Sequence, residues 1–157
     1  FVSAFWADAA HSQGFKDIFS FELQNLADLA LNSNNCFYEI YNSETGAVDG
    51  GWQLDHQWNS VHDQTWSATG YIRMIFNNLF GMRFTPEGLT FNPDVELLNE
   101  YGVEKLSNLR YLNGRLNIIV SGKGTKLAAV KVNGKTQSVK KPIAPADGIT
   151  QIELIIK

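Results

Sequence analysis

The side chains best suited to chemistry gather between Phe37 and Phe91. Glu39 sits in the run YEIYNSETG, Trp52 and Trp58 follow a pair of glycines, and Gln64 and Trp66 stand just ahead of an apolar segment. An indole gives a pyranose ring a rigid apolar face, and a primary amide both donates to and accepts from hydroxyls. Acids, amides and indoles carried on glycine-bearing loops between helices predict a grip on a carbohydrate or another polyol. Glu39 is equally compatible with a solvated side chain or one bound to a backbone amide at a helix end. Trp66 has an alternative as an interior packing residue, and Gln64 as a cap on the turn that follows it. Trp52 and Trp58 either line an outer subsite or cover the loop.

Other chemistries are less well supported. His56 and His62, with Asp55 and Asp63, lack the compact spacing of helical zinc sites. Cys36 is the single cysteine, so no internal disulfide or cysteine-rich metal site is available, and its expected state is a small buried hydrophobe. Ser67 has no nucleophile elbow around it and suits a helix cap. The run SGKGT at Ser121 to Thr125 lacks the full phosphate-loop pattern before a helix and reads as a hairpin turn. Lys131, Lys135, Lys140 and Lys141 form a solvent-facing or edge-guarding group. No cofactor and no metal is called for.

The elements that must position the candidate residues are partly visible. Residues 1–12 read as the end of a loop or a short broken helix. Phe15, Ile18, Phe19, Leu23, Leu26, Ala27, Ala30 and Leu31 recur at helical spacing, with Phe21 and Leu29 widening the stripe, and the polar run Asn32 to Asn35 stops it. So wide a face predicts a helix covered on much of its circumference. Residues 36–64 show no clean period and are too long for an ordinary connection. From Ser67 a second helix places Ala68, Ile72, Ile75, Phe76 and Leu79 on one face and ends at Gly81. Two short strands flank Pro86-Glu87-Gly88. After a linker with a helical turn near Asp94, alternating segments and the pairs Asn113-Gly114 and Asn133-Gly134 predict an antiparallel sheet or small sandwich.

Composition sets the outer limits. The chain has 157 residues, a net charge of -3 and 18% charged residues, which gives no electrostatic argument for nucleic acid or an anionic membrane. No apolar run approaches the ~18 residues of a membrane-spanning helix. An aromatic content of 12% implies a filled core, a ring-binding surface, or apolar faces made for another part of a larger molecule. The first residue is Phe1, as in a mature product or a fragment, so the expected location stays open between bacterial periplasm and cytoplasm.

Three runs resemble the end of an (α/α)6-barrel glycoside hydrolase: YEIYNSETG at Tyr38 to Gly46, QTWSATGYIRMIFNNLFGM at Gln64 to Met82, and RFTPEGLTFNPDV at Arg83 to Val95. The group contains trehalases, processing α-glucosidases, amylo-α-1,6-glucosidase-like proteins, α-rhamnosidases and maltose phosphorylases. In the phosphorylases and rhamnosidases a similar run leads into a small all-β C-terminal domain. The resemblance implies an α+β chain in which 1–91 are the last helices and loops of a toroid and 92–157 an antiparallel β-sandwich-like domain. It further implies that Glu39 is the general base of an inverting hydrolysis of an α-glucoside, with Tyr41, Gln64, Trp66 and Trp52 binding substrate. Thr65 stands where many relatives have glycine. The acid partner lies upstream in those families, outside this chain, so the expected partners are a glycoside and the remainder of the barrel. The alternative is a non-catalytic carbohydrate-binding or structural module.

Overall fold

The computed structural model describes residues 2–42, 44–48, 51–53 and 56–157, with residues 51–53, 56 and 58 described by backbone alone. It is an α+β chain that divides into two compact units, 1–75 and 76–157. The hairpin before residue 92, which the sequence groups with the helical part, falls in the second unit.

Three helices carry the first unit: α1 (Val2–Ser12), α2 (Lys16–Asn32) and α3 (Thr65–Arg73). The first corrects the expectation of a broken helix. Ala4, Ala7 and Ala10 repeat every third residue and are all buried. Alanine is the strongest helix former and lets a neighbour approach closely, but it adds little to a hydrophobic pattern. In α2 the buried positions are Phe19, Leu23, Leu26 and Ala30, the middle of the expected stripe. Its flanks are open, and Phe21 is 65% exposed. The helix ends at Ser33, and Asn34 and Asn35 adopt φ values of 56° and 60°, a left-handed conformation that asparagine tolerates.

The second apolar segment differs more. After α3 the chain continues as a π-helical turn, Met74–Leu79; of the expected face Leu79 is buried, but the other buried positions are Ser67, Gly70, Met74 and Asn78 rather than Ala68, Ile72, Ile75 and Phe76. Ile72 is 45% exposed. The helix turns its small residues inward, so an apolar count picks the wrong face. Ser67 is an interior residue of α3, not its cap.

In the second unit β3 (Met82–Thr85) and β4 (Gly88–Phe91) form a hairpin, and α4 (Val95–Glu100) follows, capped by Asp94, whose carboxylate accepts from the Leu97 amide at 3.2 Å. A shorter hairpin, β1 (Gly51–Gln53) with β2 (His56–Trp58), belongs to the first unit. Gly81 has φ 59°, and a Cβ there would fall 1.7 Å from the Asn92 carbonyl oxygen, so the helix exit demands glycine.

The remaining strands are β5 (Lys105–Tyr111), β6 (Gly114–Gly122), β7 (Leu127–Val132), β8 (Lys135–Gln137) and β9 (Gly148–Ile156), in the order β5-β6-β9-β7-β8. The sheet is mixed: β9 runs parallel to β6 and antiparallel to β7, which corrects the all-antiparallel expectation. It also corrects the reading of Ser121 to Thr125 as a hairpin turn, because β9 lies between the two strands that this segment joins. The Thr125 and Lys126 amides instead donate to the Lys157 carbonyl, both at 3.1 Å. Asn133-Gly134 makes the expected two-residue turn, with φ 48° and 80°. At the other Asn-Gly the loop is Leu112-Asn113, and Gly114 is the first paired residue. Glycine is needed there because a Cβ would meet the Ala146 carbonyl oxygen at 2.1 Å.

One face of the sheet is the core of this unit. Leu116, Ile118, Val130, Ile152, Leu154 and Ile156 are all buried, and the registers Ile118 to Ile152 and Val130 to Leu154 set them side by side. The opposite face carries Glu153, which binds Lys131 Nζ at 2.9 Å and accepts from the Ser121 hydroxyl at 2.7 Å. Asn99 Nδ2 donates to the Gly124 carbonyl at 3.0 Å and Leu89 bridges to Ile143, tying α4 and the β3–β4 hairpin to the sheet connections.

Candidate functional site

The excursion between α2 and α3 folds back along itself, which is what brings the candidate residues together. The Gln64 amide donates to the Phe37 carbonyl at 2.8 Å and the Glu39 amide to the Val61 carbonyl at 2.9 Å. The Ile40 amide donates to the Ser60 hydroxyl at 2.9 Å. Residues 37–40 therefore run alongside 60–64, and Glu39 is carried to the start of α3. A tight turn closes the outward run: Asn42 Oδ1 accepts from the Glu44 and Thr45 amides, both at 2.9 Å, and the Asn42 amide donates to the Ala47 carbonyl at 2.8 Å.

A second tie sits at the base of the excursion. The Cys36 thiol donates to Asp63 Oδ1 at 3.1 Å, and the Asp63 amide donates back to Cys36 Sγ at 3.1 Å. Asp63 Oδ2 lies 2.9 Å from His62 Nδ1. The thiol hydrogen bond raises the Cys36 pKa and lowers that of Asp63, with His62 lowering Asp63 further. A thiol held protonated is a poor nucleophile, so this group fastens the loop rather than reacting. Among the described residues no cluster of His, Cys, Asp or Glu could hold a metal ion.

Glu39, Gln64 and Trp66 line one cleft of about 450 Å³, joined by Val2, Ile40 and Ser67. Glu39 is exposed and is the one carboxylate among these lining residues. Trp66, on the first turn of α3, is 65% exposed, so it is not an interior packing residue of this unit. Gln64 is the N-cap of α3, its Oε1 accepting from the Trp66 amide at 3.4 Å. That bond leaves its amide donors and one acceptor lone pair for other use.

Tyr41 is placed elsewhere. It is half-buried, and its hydroxyl accepts from the Tyr38 amide at 3.0 Å. Burial, the largest influence, raises its pKa against the effect of that bond. Its observed part is to shape the loop that presents Glu39. The side chains of Trp52 and Trp58, and of Asp55 and His56, lie outside the described residues.

A second cavity of about 390 Å³ opens between α1 and α3 and shares Trp66 with the first. Arg73 at its end pairs with Asp8 at 2.9 Å and lies over the Phe5 ring at 5.3 Å. Sequence reading missed α1 entirely as a source of lining residues. The signal was available in the three-residue spacing of Ala4, Ala7 and Ala10, which places Phe5 and Asp8 beside the buried edge of a helix. No helix among the described residues is long and apolar enough to cross a membrane. No family model and no curated protein matches the chain.

Proposed function

We propose that this chain is part of a glycoside hydrolase, in which the helical unit supplies one side of the active site and Glu39 is the general base. The observation that carries the reading is that the Glu39 carboxylate, from one arm of the excursion, meets the Gln64 amide and the exposed Trp66 indole, from the start of α3, on a single cleft. A carboxylate beside an aromatic platform is what inverting hydrolysis needs on one side of a sugar. Glu39 takes a proton from water while the water oxygen attacks the anomeric carbon and the C–O bond to the leaving group breaks. The leaving oxygen receives its proton from a second carboxyl group, about 6.5–9.5 Å from the first, supplied by the remainder of the barrel.

The surface of the helical unit supports the same reading. Trp6, Phe21, Leu31 and Ile72 are exposed large apolar residues on its helices and line neither cleft. In an (α/α)6 toroid such faces meet neighbouring hairpins, which stand here as the proposed cover for them. The β domain of the same protein would be the single five-stranded mixed sheet of 76–157, in place of a two-sheet sandwich. The proposed substrate is an α-glucoside.

Replacing Trp66 by Ala should abolish binding of methyl α-D-glucoside measured by NMR titration, while Glu39→Gln should leave binding within about twofold. Binding that survives Trp66→Ala contradicts the reading. The second reading, a carbohydrate-binding module, draws on the lone carboxylate among the cleft's lining residues. It predicts the same binding results, with no turnover in the protein encoded by the uninterrupted reading frame that contains this chain.

A further inference from the structure

The cavity between α1 and α3 differs from the Glu39 cleft in its chemistry. Its walls are the Phe5 ring and the Trp66 indole, and the buried Ala4 and Gly70 also line it. Its two charged residues satisfy each other: Arg73 Nη2 binds Asp8 Oδ2 at 2.9 Å while the guanidinium covers the Phe5 face. A charged ligand would have to break that pair to gain a counter-charge, whereas a neutral ring would only displace water from apolar walls. From Trp66 to Arg73 the helix rises ~10 Å, room for a substituted aromatic ring. Flat aromatic walls favour a flat aromatic guest in offset or edge-on contact.

We propose that this groove receives the leaving group of the glycoside, and that the leaving group is a neutral aromatic ring. The inference rests on the reading that a sugar occupies the Glu39 cleft. Trp66 borders both spaces, so a sugar and a ring joined through one glycosidic oxygen occupy them together. The substrate class is then an aryl glycoside rather than a linear oligosaccharide.

The test is a calorimetric titration of the protein encoded by the uninterrupted reading frame containing this chain, in the Glu39→Gln background so that no glucoside turns over, with methyl α-D-glucoside, phenyl α-D-glucoside and phenol, repeated for Thr69→Phe. Thr69 lines the groove from an exposed position on α3, so the larger side chain fills the groove without entering the core. The phenyl glucoside should bind at least tenfold more tightly than the methyl glucoside, and Thr69→Phe should remove that gain while leaving the methyl glucoside unchanged. Should Thr69→Phe fail to fold, Phe5→Ala serves, with the same expected loss. Equal affinities for the two glucosides, or a gain that persists in the groove variant, overturn the inference and leave the sugar reading standing. Phenol binding as tightly as its glucoside, or no binding of either glucoside, removes the sugar reading and the inference with it.

Discussion

The two units solve the same problem, hiding apolar surface, in opposite ways. Residues 76–157 put their large aliphatic side chains on one face of a twisted sheet, and Leu154, Ile152 and Ile118 are almost wholly shielded. Residues 1–75 bury small side chains where α1 and α3 meet and leave Trp6, Phe21, Leu31 and Ile72 open. Among the described residues ten of the fourteen exposed large hydrophobics lie in 1–75, and four, Phe84, Leu112, Ile119 and Ile149, lie in 76–157. The contrast teaches that the sheet gathers its large side chains on one shielded face, whereas the helical unit shows more of its large side chains on its surface, the surface that the proposed function assigns to neighbouring hairpins.

Substitutions can break or sharpen that contrast. The largest effects should come from cavities in either core. Phe19→Ala should cost about 3–5 kcal/mol and Leu154→Ala about 2–5 kcal/mol in urea unfolding. If the contrast holds, the two variants should lower separate transitions, one for each unit; a single shared transition would show the units to be energetically one. Removing the Asp94 cap by Asp94→Ala should cost about 1 kcal/mol, confined to the transition of the second unit. Phe21→Gln should change stability by less than about 0.5 kcal/mol. A cost above 2 kcal/mol would mean that Phe21 is already packed.

The smallest effects concern the tie at the base of the excursion. Asp63→Asn removes the carboxylate that holds the Cys36 thiol protonated, so Cys36 should be alkylated several-fold faster at mildly alkaline pH. An unchanged rate would mean that this hydrogen bond does not hold the thiol protonated. The Asp63 pKa is lowered, so its contribution is complete above the ordinary carboxylate range and is lost as pH falls through the lowered value. The Cys36 pKa is raised, so its contribution is complete below the ordinary thiol value and is lost as pH rises through the raised one. Near-ultraviolet circular dichroism of the tryptophans, followed across both limits, checks each arm.

Much of this was legible in the sequence wherever large side chains do the packing. The helix over Lys16–Asn32, the strand segments and the Asn133-Gly134 turn all follow from periodicity and turn chemistry. Legibility fails where small residues decide. Ala4, Ala7 and Ala10 made a helix that no hydrophobic stripe announces, and Ser67 and Gly70 put the buried face of α3 well away from the one the apolar count picks. Strand order was also hidden. The alternation in β9 fixes which of its side chains face the core but not which strands flank it, and the long return from β8 is what lets it enter beside β6 in parallel. At the site, Glu39, Gln64 and Trp66 were readable as residue types, but their meeting depends on backbone bonds such as Glu39 to Val61, which carry no side-chain signature.

The most direct measurement of the central claim is hydrolysis of an aryl α-glucoside by the protein encoded in the uninterrupted reading frame containing this chain, with the anomer of the released sugar followed by NMR. The account predicts that the β-anomer appears first and that Glu39→Gln lowers turnover by about 10²–10⁴-fold with little change in binding. Release of the α-anomer first, or full turnover in Glu39→Gln, would contradict it.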